Sequence, residues 1–408
     1  MVAFDQDQRR SALLNDGELP ISEPGLAELL HCHRNHIRFT SEIEEIEKCS
    51  LIYISNDVST DTANQSDVSA ITRLVETIVS RLKPNSVLVI LSQVPPGFTR
   101  QLVSRFENEL SQNGIQVYYQ VETLVFGNAV ERATKPERFI VGCMDSAVGL
   151  VDQYQQLLSR FGCPILRMGY ESAELAKIAI NSMLVSAVSA TNMLAEICEK
   201  IGADWSEIAP ALRLDKRIGS NAYLNPGLGI AGGNLERDLA TLRNLAQERG
   251  TDAGLVDEWI ELSSYRRDWV LRILHREIMP LRPKPVVAVW GLAYKADTDS
   301  IRNSPALAMV ETLVGFTVRA YDPIAVLPDR LRSKVLQCAS ALEASRGADV
   351  LIVMTPWPEF SSYDVSQLNE NMAGHFLIDP FGMLASRVRG ESNLSYFRLG
   401  APALRGTQ

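Results

Sequence analysis

Residues 171–201 read ESAELAKIAINSMLVSAVSATNMLAEICEKI, and this stretch separates two regions of different texture. It is rich in Ala, Ile, Leu and Met, and its apolar residues fall on more than one face of a helix. That pattern is typical of a helix that is buried on several sides. We therefore expect one long helix here, and a homodimer that forms through it.

On the amino-terminal side of this helix, β-branched runs alternate with amphipathic stretches, such as residues 23–30 and 67–82. The runs lie at residues 2–5, 51–55, 86–92, 115–120 and 139–142. The alternation predicts βαβ units, with right-handed connections in a parallel sheet. SQVPPG (residues 92–97) follows one run, which predicts a rigid loop at the carboxyl end of a strand, where open α/β sheets bind ligands.

On the carboxyl-terminal side, the glycine-rich NPGLGIAGG (residues 225–233) precedes helical sequence that extends to about residue 275. Strand-like runs then return at residues 286–291, 317–322, 350–355 and 375–379, with a helix at 305–314. The fold class is therefore α/β: two Rossmann-like parallel-sheet domains joined by a central helical segment. We place the domains at residues 1–170, 171–280 and 281–408.

Composition limits the partners and the compartment. The 408 residues carry a net charge of −9, which argues against nucleic acid or an anionic membrane as the main partner. The six cysteines include no CxxC pair, which indicates free thiols in a reducing compartment. The first residues resemble no signal peptide, and we expect no apolar run of the roughly 18 residues that a membrane span needs. We expect a cytoplasmic protein.

Two stretches carry polar groups in a setting that suggests chemistry. Lys177 and Asn181 are four residues apart and share one helix face, although such a pair alone favours a structural hydrogen bond. The glycines at 225–233 would let backbone N–H groups approach a ligand closely. Taken alone, that loop is most simply a flexible turn between helices.

Together, the two stretches resemble the UDP-glucose/GDP-mannose 6-dehydrogenases. The family oxidises C6 of a nucleotide sugar twice, with two NAD, to give a uronic acid. Further segments resemble family motifs in the same order: ELPISEPGLAELL (18–30), KRIGSNAYLNPG (216–227), GLAYKADTDSIRNSP (291–305) and TPWPEF (355–360). The resemblance extends along nearly the whole chain and implies a nucleotide-sugar partner and NAD as cofactor.

The resemblance also implies catalytic roles at matching positions. Lys177 and Asn181 would stabilise a developing alkoxide and position a catalytic water, and Asp238 would help to activate that water. Glu122 matches the first glutamate of another family segment. Asn234 stands where the family has its nucleophilic cysteine, and an amide cannot form the thiohemiacetal and thioester that link the two oxidations.

Binding roles follow in the same way. The implied substrate-binding residues are Arg217, Tyr223, Leu224, Asn225, Gly227 and Lys295. Arg217 matches an arginine that reaches the sugar site of the neighbouring subunit. Asp5 matches the acid that binds the NAD ribose, and Arg302 matches an arginine near the cofactor phosphates. No metal is implied.

Other positions depart from the family pattern. Gln93 stands at a threonine, and Phe126 stands at a second glutamate. Ser300 and Asn303 replace acids of the third-domain motif. No GxGxxG turn occurs, and the chain opens at what would be the second strand, so we expect the first sheet to lack its usual first strand, which is central in the 3-2-1-4-5-6 order. A preceding segment and a naturally shortened chain both remain open.

Three segments have simpler interpretations. His31, Cys32, His33 and His36 form a histidine-rich cluster, in which a metal site is the less favoured interpretation. Trp357 and Phe360 are most simply core residues, although they could stack on a base. The acidic residues 42–47 are most simply a solvated helix face.

Three functions remain in competition. The favoured hypothesis is a divergent member that binds the nucleotide sugar but does not complete the double oxidation. An active oxidoreductase that stops at the aldehyde, or that uses another nucleophile, is the alternative. The third is a dimeric scaffold without a ligand.

Overall fold

A computed structural model of the chain describes residues 1–61, 66–231, 233–388 and 393–406. The chain divides into two compact units, Met1–Ile180 and Asn181–Gln408. The three-domain division at residues 170 and 280 stays a prediction.

The first unit contains short strands and helices in alternation. Its strands are β1 (Val2–Phe4), β2 (Arg38–Thr40), β3 (Leu51–Ile54), β4 (Ser59–Thr60), β5 (Ser66–Asp67), β6 (Val87–Ile90), β7 (Gln116–Gln120), β8 (Phe139–Cys143) and β9 (Ile165–Gly169). Its helices are α1 (Gln8–Asp16), α2 (Leu26–His33), α3 (Ser69–Val79), α4 (Phe98–Arg105), α5 (Glu107–Gln112), α6 (Ala129–Thr134) and α7 (Asp152–Ser159), with 3₁₀ turns at Arg34–His36 and Ile43–Lys48. The five strands predicted from the sequence are confirmed as β1, β3, β6, β7 and β8.

The strands of the first unit form a divided sheet. β1 and β2 make a parallel pair, and β3-β6-β7-β8-β9 make a separate five-stranded sheet. Within the described residues, no strand joins β1 to the larger sheet. The larger sheet is parallel except at β7 and β8, which pair antiparallel. The predicted parallel sheet is confirmed apart from this pair, which corrects the prediction at β7 and β8.

Helix α8 (Tyr170–Ile201) begins in the first unit and continues into the second, which confirms the predicted long helix. By length and composition it would also suffice to cross a membrane, with a mean hydropathy of 1.4 over its most apolar window. The expectation that no apolar run reaches the length of a membrane span is therefore wrong for α8, and core helices of soluble proteins can have the same length and composition.

The second unit follows α8 with a helical part and then a sheet. Its further helices are α9 (Trp205–Leu214), α10 (Asn234–Arg249), α11 (Gly254–Arg267), α12 (Trp269–Ile273), α13 (Pro305–Thr312), α14 (Asp329–Arg332), α15 (Ala341–Ser345) and α16 (Val365–Asn371), with a π turn at Leu274–Ile278 and a 3₁₀ turn at Pro358–Ser362. Its strands are β10 (Val286–Trp290), β11 (Thr317–Tyr321), β12 (Leu336–Gln337), β13 (Val350–Val353), β14 (Phe376–Ile378) and β15 (Ser395–Phe397).

These six strands form one parallel sheet in the order β12-β11-β10-β13-β14-β15. All residues of β13 are buried, as expected for a strand that is covered on both faces. Ser304 starts α13, since its side chain accepts hydrogen bonds from the N–H groups of Ala306 and Leu307. Trp357 and Phe360 lie in the hydrophobic core, which confirms their interpretation as core residues.

The structure also locates the acidic segment, the cysteines and the histidine-rich cluster. The acidic residues 42–47 fall largely in the 3₁₀ turn Ile43–Lys48. All six cysteines are free thiols. Within the described residues, no group of three or more His, Cys, Asp or Glu side chains is arranged to hold a metal ion, and this includes the cluster at 31–36.

Candidate functional site

Helix α10 begins at the position that the sequence matches to the family nucleophile. Gly233 precedes the helix with φ 92°, and its N–H donates to the Glu236 carboxylate at 2.9 Å. Asn303 contacts the same carboxylate at 3.4 Å. Asn234 is the first residue of the helix, where the helix dipole would favour a thiolate. An amide at that place offers hydrogen bonds but no nucleophile.

A buried carboxylate lies one turn further along α10. Asp238 is almost fully buried and accepts a hydrogen bond from the side-chain amide of Asn181 on α8. The Arg237 guanidinium lies 3.7 Å from the same carboxylate. The structure thus brings together two of the predicted catalytic residues, Asn181 and Asp238, and the carboxylate could accept a proton from a bound water.

Lys177 lies one turn before Asn181 on α8, so the two residues project from one face of that helix. Lys177 is half-buried and belongs to the first unit. Glu174, one turn earlier, is fully buried and accepts hydrogen bonds from the N–H groups of Gly97 (2.6 Å) and Thr99 (2.8 Å). Burial raises the pKa of Glu174.

Glu174 therefore ties the start of α4 to α8. Because residues 92–97 lead directly into α4, the same contacts hold the loop that carries Gln93. The predicted position of this loop at the carboxyl end of a strand is confirmed, since the loop follows β6. The sequence reasoning did not single out Glu174, although an acid on an otherwise apolar helix was a signal that could have found it.

A second buried acid holds the loop that carries Glu122 and Phe126. Glu23 accepts hydrogen bonds from the N–H groups of Gly127 (2.8 Å) and Ala129 (2.7 Å), and thereby caps the start of α6. Glu122 itself accepts from the N–H of Leu124. Glu23 is the first residue of the EPGL motif, which the sequence indicated only as a family motif. The motif therefore also anchors this loop by hydrogen bonds.

Asp5 follows β1 at the carboxyl end of the strand. Its carboxylate accepts from the N–H of Asp7 at 2.9 Å and pairs with Arg10 at 2.9 Å. Both partners of this ion pair are partly exposed, so a ribose hydroxyl can compete with Arg10 at little cost. The position and chemistry of Asp5 fit a ribose acceptor.

Several side chains form hydrogen bonds with residues 223–231, here called the sugar loop after the family segment that it resembles. Trp205 donates to the carbonyl of Leu224 at 2.7 Å, and Thr191 donates to the carbonyl of Tyr223 at 3.2 Å. Arg213 donates to the side chain of Asn225 at 2.9 Å. The Tyr223 side chain remains half exposed.

The predicted cationic residues of the second unit are spread over three places. Arg217 is exposed and pairs with Asp215 at 2.6 Å, which raises the pKa of the guanidinium. Lys295 follows Tyr294 in the turn after β10, with its ammonium 5.7 Å from that ring. Arg302 lies against Gly233: a Cβ at that glycine would be 2.8 Å from the Arg302 side chain. Arg302 therefore borders the start of α10.

Comparison with known proteins places these features in one family. Three sequence profiles of the UDP-glucose/GDP-mannose dehydrogenase family match in order: the NAD binding domain at residues 1–161, the central domain at 171–264 and the UDP binding domain at 288–386. The chain belongs to the UDP-glucose/GDP-mannose dehydrogenase family.

Relatives and solved structures agree with this membership. The chain is 32% identical to the UDP-glucose 6-dehydrogenase AglM of Haloferax volcanii over 89% of its length and 87% of that protein. It is 29% identical to the UDP-glucose 6-dehydrogenase TuaD of Bacillus subtilis over 100% of its length and 89% of that protein. A UDP-glucose dehydrogenase structure from Pyrobaculum islandicum shares the fold, with a TM-score of 0.83 at 23% identity, covering 98% of this chain and 92% of that one.

Family membership assigns NAD as the cofactor. NAD supplies a hydride acceptor in this family of dehydrogenases. Asp5 follows β1 and carries a carboxylate that could accept a hydrogen bond from the ribose of the cofactor.

Cysteines of the second unit give no replacement for the nucleophile. Cys198 packs in a cluster with Ala195 and Trp205, and Cys338 lies in the core of the C-terminal sheet. Burial raises the pKa of both thiols, which disfavours the reactive thiolate. Neither cysteine therefore has the environment of a nucleophile.

Proposed function

We propose that this family member binds a nucleotide sugar of the UDP-glucose type in its second unit and does not complete the oxidation to the uronic acid. The proposal depends on one observation: Asn234 occupies the first position of α10. The family resemblance places the nucleophilic cysteine there. Without a thiol, the aldehyde formed in a first oxidation has no covalent route to the second.

The binding part of the proposal is supported by what the second unit retains. Neighbouring side chains hydrogen-bond to the sugar loop, and Lys295 supplies a positive charge in the turn after β10. A Cβ at Gly227 would meet no atom within 4 Å. Gly227→Ala is therefore sterically free in the protein, and weaker UDP-glucose binding by that variant would report on close approach of a ligand.

A single oxidation to the aldehyde is the second candidate. Asp238 is buried and bonded to Asn181, an arrangement that suits proton transfer at the sugar. Under this alternative, NADH forms with UDP-glucose and one NAD is reduced for each sugar consumed.

Titration calorimetry with UDP-glucose, followed by NADH absorbance, tests both candidates. We expect UDP-glucose to bind the wild-type chain and no uronic acid to form. Asn234→Cys should gain thioester-dependent second-step activity, whereas Asn234→Ser is the size-matched control without a thiol. Uronic acid production by the wild-type chain would overturn the main proposal.

We further propose a homodimer built on α8. The helix exposes several apolar side chains: Met183, Met193, Leu194, Ile197 and Ile201. Met183 and Ile201 are each more than 70% exposed, which is unusual for a long apolar helix in a soluble protein. Light scattering should give twice the chain mass, and Ile201→Glu should shift the mass towards the monomer, while Lys200→Glu serves as a neighbouring control.

The cytoplasm is the proposed location. All six cysteines are free thiols, including the exposed Cys32, as expected in a reducing compartment. Fractionation of cells that produce the chain tests this proposal. Recovery in a membrane or secreted fraction would contradict it.

A further inference from the structure

Two polar side chains on different helices hold the sugar loop by its backbone. Asn192 of α8 accepts a hydrogen bond from the N–H of Gly227 at 2.8 Å. Ser263 of α11 accepts a hydrogen bond from the N–H of Ile230 at 2.7 Å. Both side chains are more than nine-tenths buried. A buried N–H group that loses its acceptor is costly, so these two contacts restrict the loop strongly.

Close packing restricts the loop between those two contacts. Gly229 has φ +78°, and a Cβ there would lie 2.5 Å from the carbonyl oxygen of Ser263. The loop therefore lies directly on α11 at this point. Gly227 differs, because its Cβ position is open. One side of the loop is thus held by the protein, while the backbone at Gly227 remains approachable from the other side.

We infer that Asn192 and Ser263 are positioning residues for nucleotide-sugar binding: they hold the backbone of Gly227 and Ile230 in the conformation that receives the sugar. This inference rests on the proposed function of the sugar loop. A loop that is already ordered loses less entropy when a ligand binds, so removal of either acceptor should weaken sugar binding. Neither residue needs to touch the sugar.

Matched variants separate positioning from general stability. Ser263→Ala removes the acceptor of Ile230. Ser264→Ala is the control, because the Ser264 hydroxyl bonds to the carbonyl of Ile260 within α11. Asn192→Leu removes the acceptor of Gly227 at similar volume, and Asn192→Asp retains an acceptor and should restore binding.

Calorimetry with UDP-glucose and with UDP gives the first readout, at temperatures where each variant is folded by circular dichroism. We expect Ser263→Ala and Asn192→Leu to raise the Kd for UDP-glucose about fivefold or more. UDP itself should change by less than about twofold, because UDP has no sugar for the loop to receive. Equal losses for UDP and UDP-glucose, or no loss for either, would overturn the inference.

Hydrogen–deuterium exchange gives a second readout that needs no ligand. The peptide containing residues 223–231 should exchange faster in Ser263→Ala and Asn192→Leu than in Ser264→Ala. Unchanged exchange in both variants would overturn the inference by itself. If the wild-type chain binds neither UDP nor UDP-glucose, the proposed function fails, and the exchange measurement still decides whether these residues hold the loop.

Discussion

An aspartate follows strand β11 and another follows strand β1, but the two carboxylates differ in burial and in hydrogen-bond partners. Asp322 follows β11 and is almost fully buried. Its donors are the backbone N–H groups of Leu292, Ala293, Ile324 and Ala325 and the indole N–H of Trp357. Asp5 follows β1, is partly exposed, and has one backbone donor and Arg10 as partners. The same topological position therefore braces the C-terminal sheet and stays accessible to a ligand in the N-terminal region.

Close packing also joins the strand ends beside Asp322. Gly291 follows β10 with φ +93°, and a Cβ there would lie 2.4 Å from Thr355, which follows β13. Thr355 donates to the carbonyl of Ala293 at 2.6 Å. The strand ends of the C-terminal sheet are therefore linked to each other as well as to Asp322.

The largest expected effect is on Asp322. Asp322→Ala leaves several buried N–H donors without an acceptor, each at a cost of about 1–3 kcal/mol. We expect a loss of at least about 4 kcal/mol in the free energy of unfolding, measured in urea. Asp5→Ala is the matched control and should lose less than about 1 kcal/mol, because an exposed ion pair contributes little. Equal losses would contradict the comparison.

A glycine pair gives the next largest effect. Gly291→Ala forces a Cβ into Thr355 and adds backbone strain, so we expect a loss of about 3 kcal/mol or more in the free energy of unfolding. Gly17→Ala has nearly the same φ, +90°, but meets no atom within 4 Å. It should lose only the strain of about 1–2 kcal/mol. The difference isolates the close contact across the C-terminal sheet.

For cofactor binding, we expect the opposite order of effects: substitution of Asp5 should matter and substitution of Asp322 should not. Asp5→Asn should weaken NAD binding about tenfold, because a charge-assisted hydrogen bond to the ribose is lost. Fluorescence titration with NADH measures this change. Asp322→Asn is the comparison wherever it folds, and it should leave the Kd for NADH unchanged. An unchanged Kd for Asp5→Asn would show that the ribose binds without Asp5.

The smallest expected effect is a pH dependence in the C-terminal sheet. Asp379 follows β14 and is fully buried, and this burial raises the pKa of its carboxyl. A raised pKa in the folded state means that the folded state binds the proton more tightly than the unfolded state. Stability should therefore fall as the pH rises above about 4, the ordinary value for aspartate, and the penalty is complete once the folded carboxyl has ionised.

Asp379→Asn tests that dependence, because asparagine keeps an acceptor for Tyr396 and Leu384 without a titratable group. The difference in unfolding free energy between wild type and variant should shift with pH in favour of the variant as the pH increases from about 4 to 8. A difference that is constant over this range would contradict the prediction.

The fold could be predicted well wherever a local pattern was strong. The apolar composition of α8 and the β-branched runs at β6 and β13 each identified an element within a few residues. β2 was missed because it has only three residues and carries Arg38, and β9 was missed because Arg167 interrupts its apolar residues. The antiparallel pairing of β7 with β8 was also missed, since strand direction depends on the path of the connection and not on the strand sequence.

The candidate site was predicted mainly through resemblance. Asn181 and Asp238 were named from motif positions, and the structure places them in hydrogen-bond contact. Glu23, Glu174 and Asn192 were not named, because each binds backbone N–H groups far away in the sequence. Their residue types alone do not distinguish such a contact from an ordinary solvated or core position.

By itself, the sequence determined the α/β class, the main strand-forming runs, the long central helix, the family, and the presence of Asn234 where a cysteine would act. These features depend on local periodicity or on residue identity at a motif position. Only the tertiary structure decided which carboxylates are buried and hydrogen-bonded to the protein, as Asp322 is, and which stay accessible, as Asp5 does. It also decided that Asn192 and Ser263 hold the sugar loop, because a hydrogen bond between distant residues exists only once folding has placed donor and acceptor within reach.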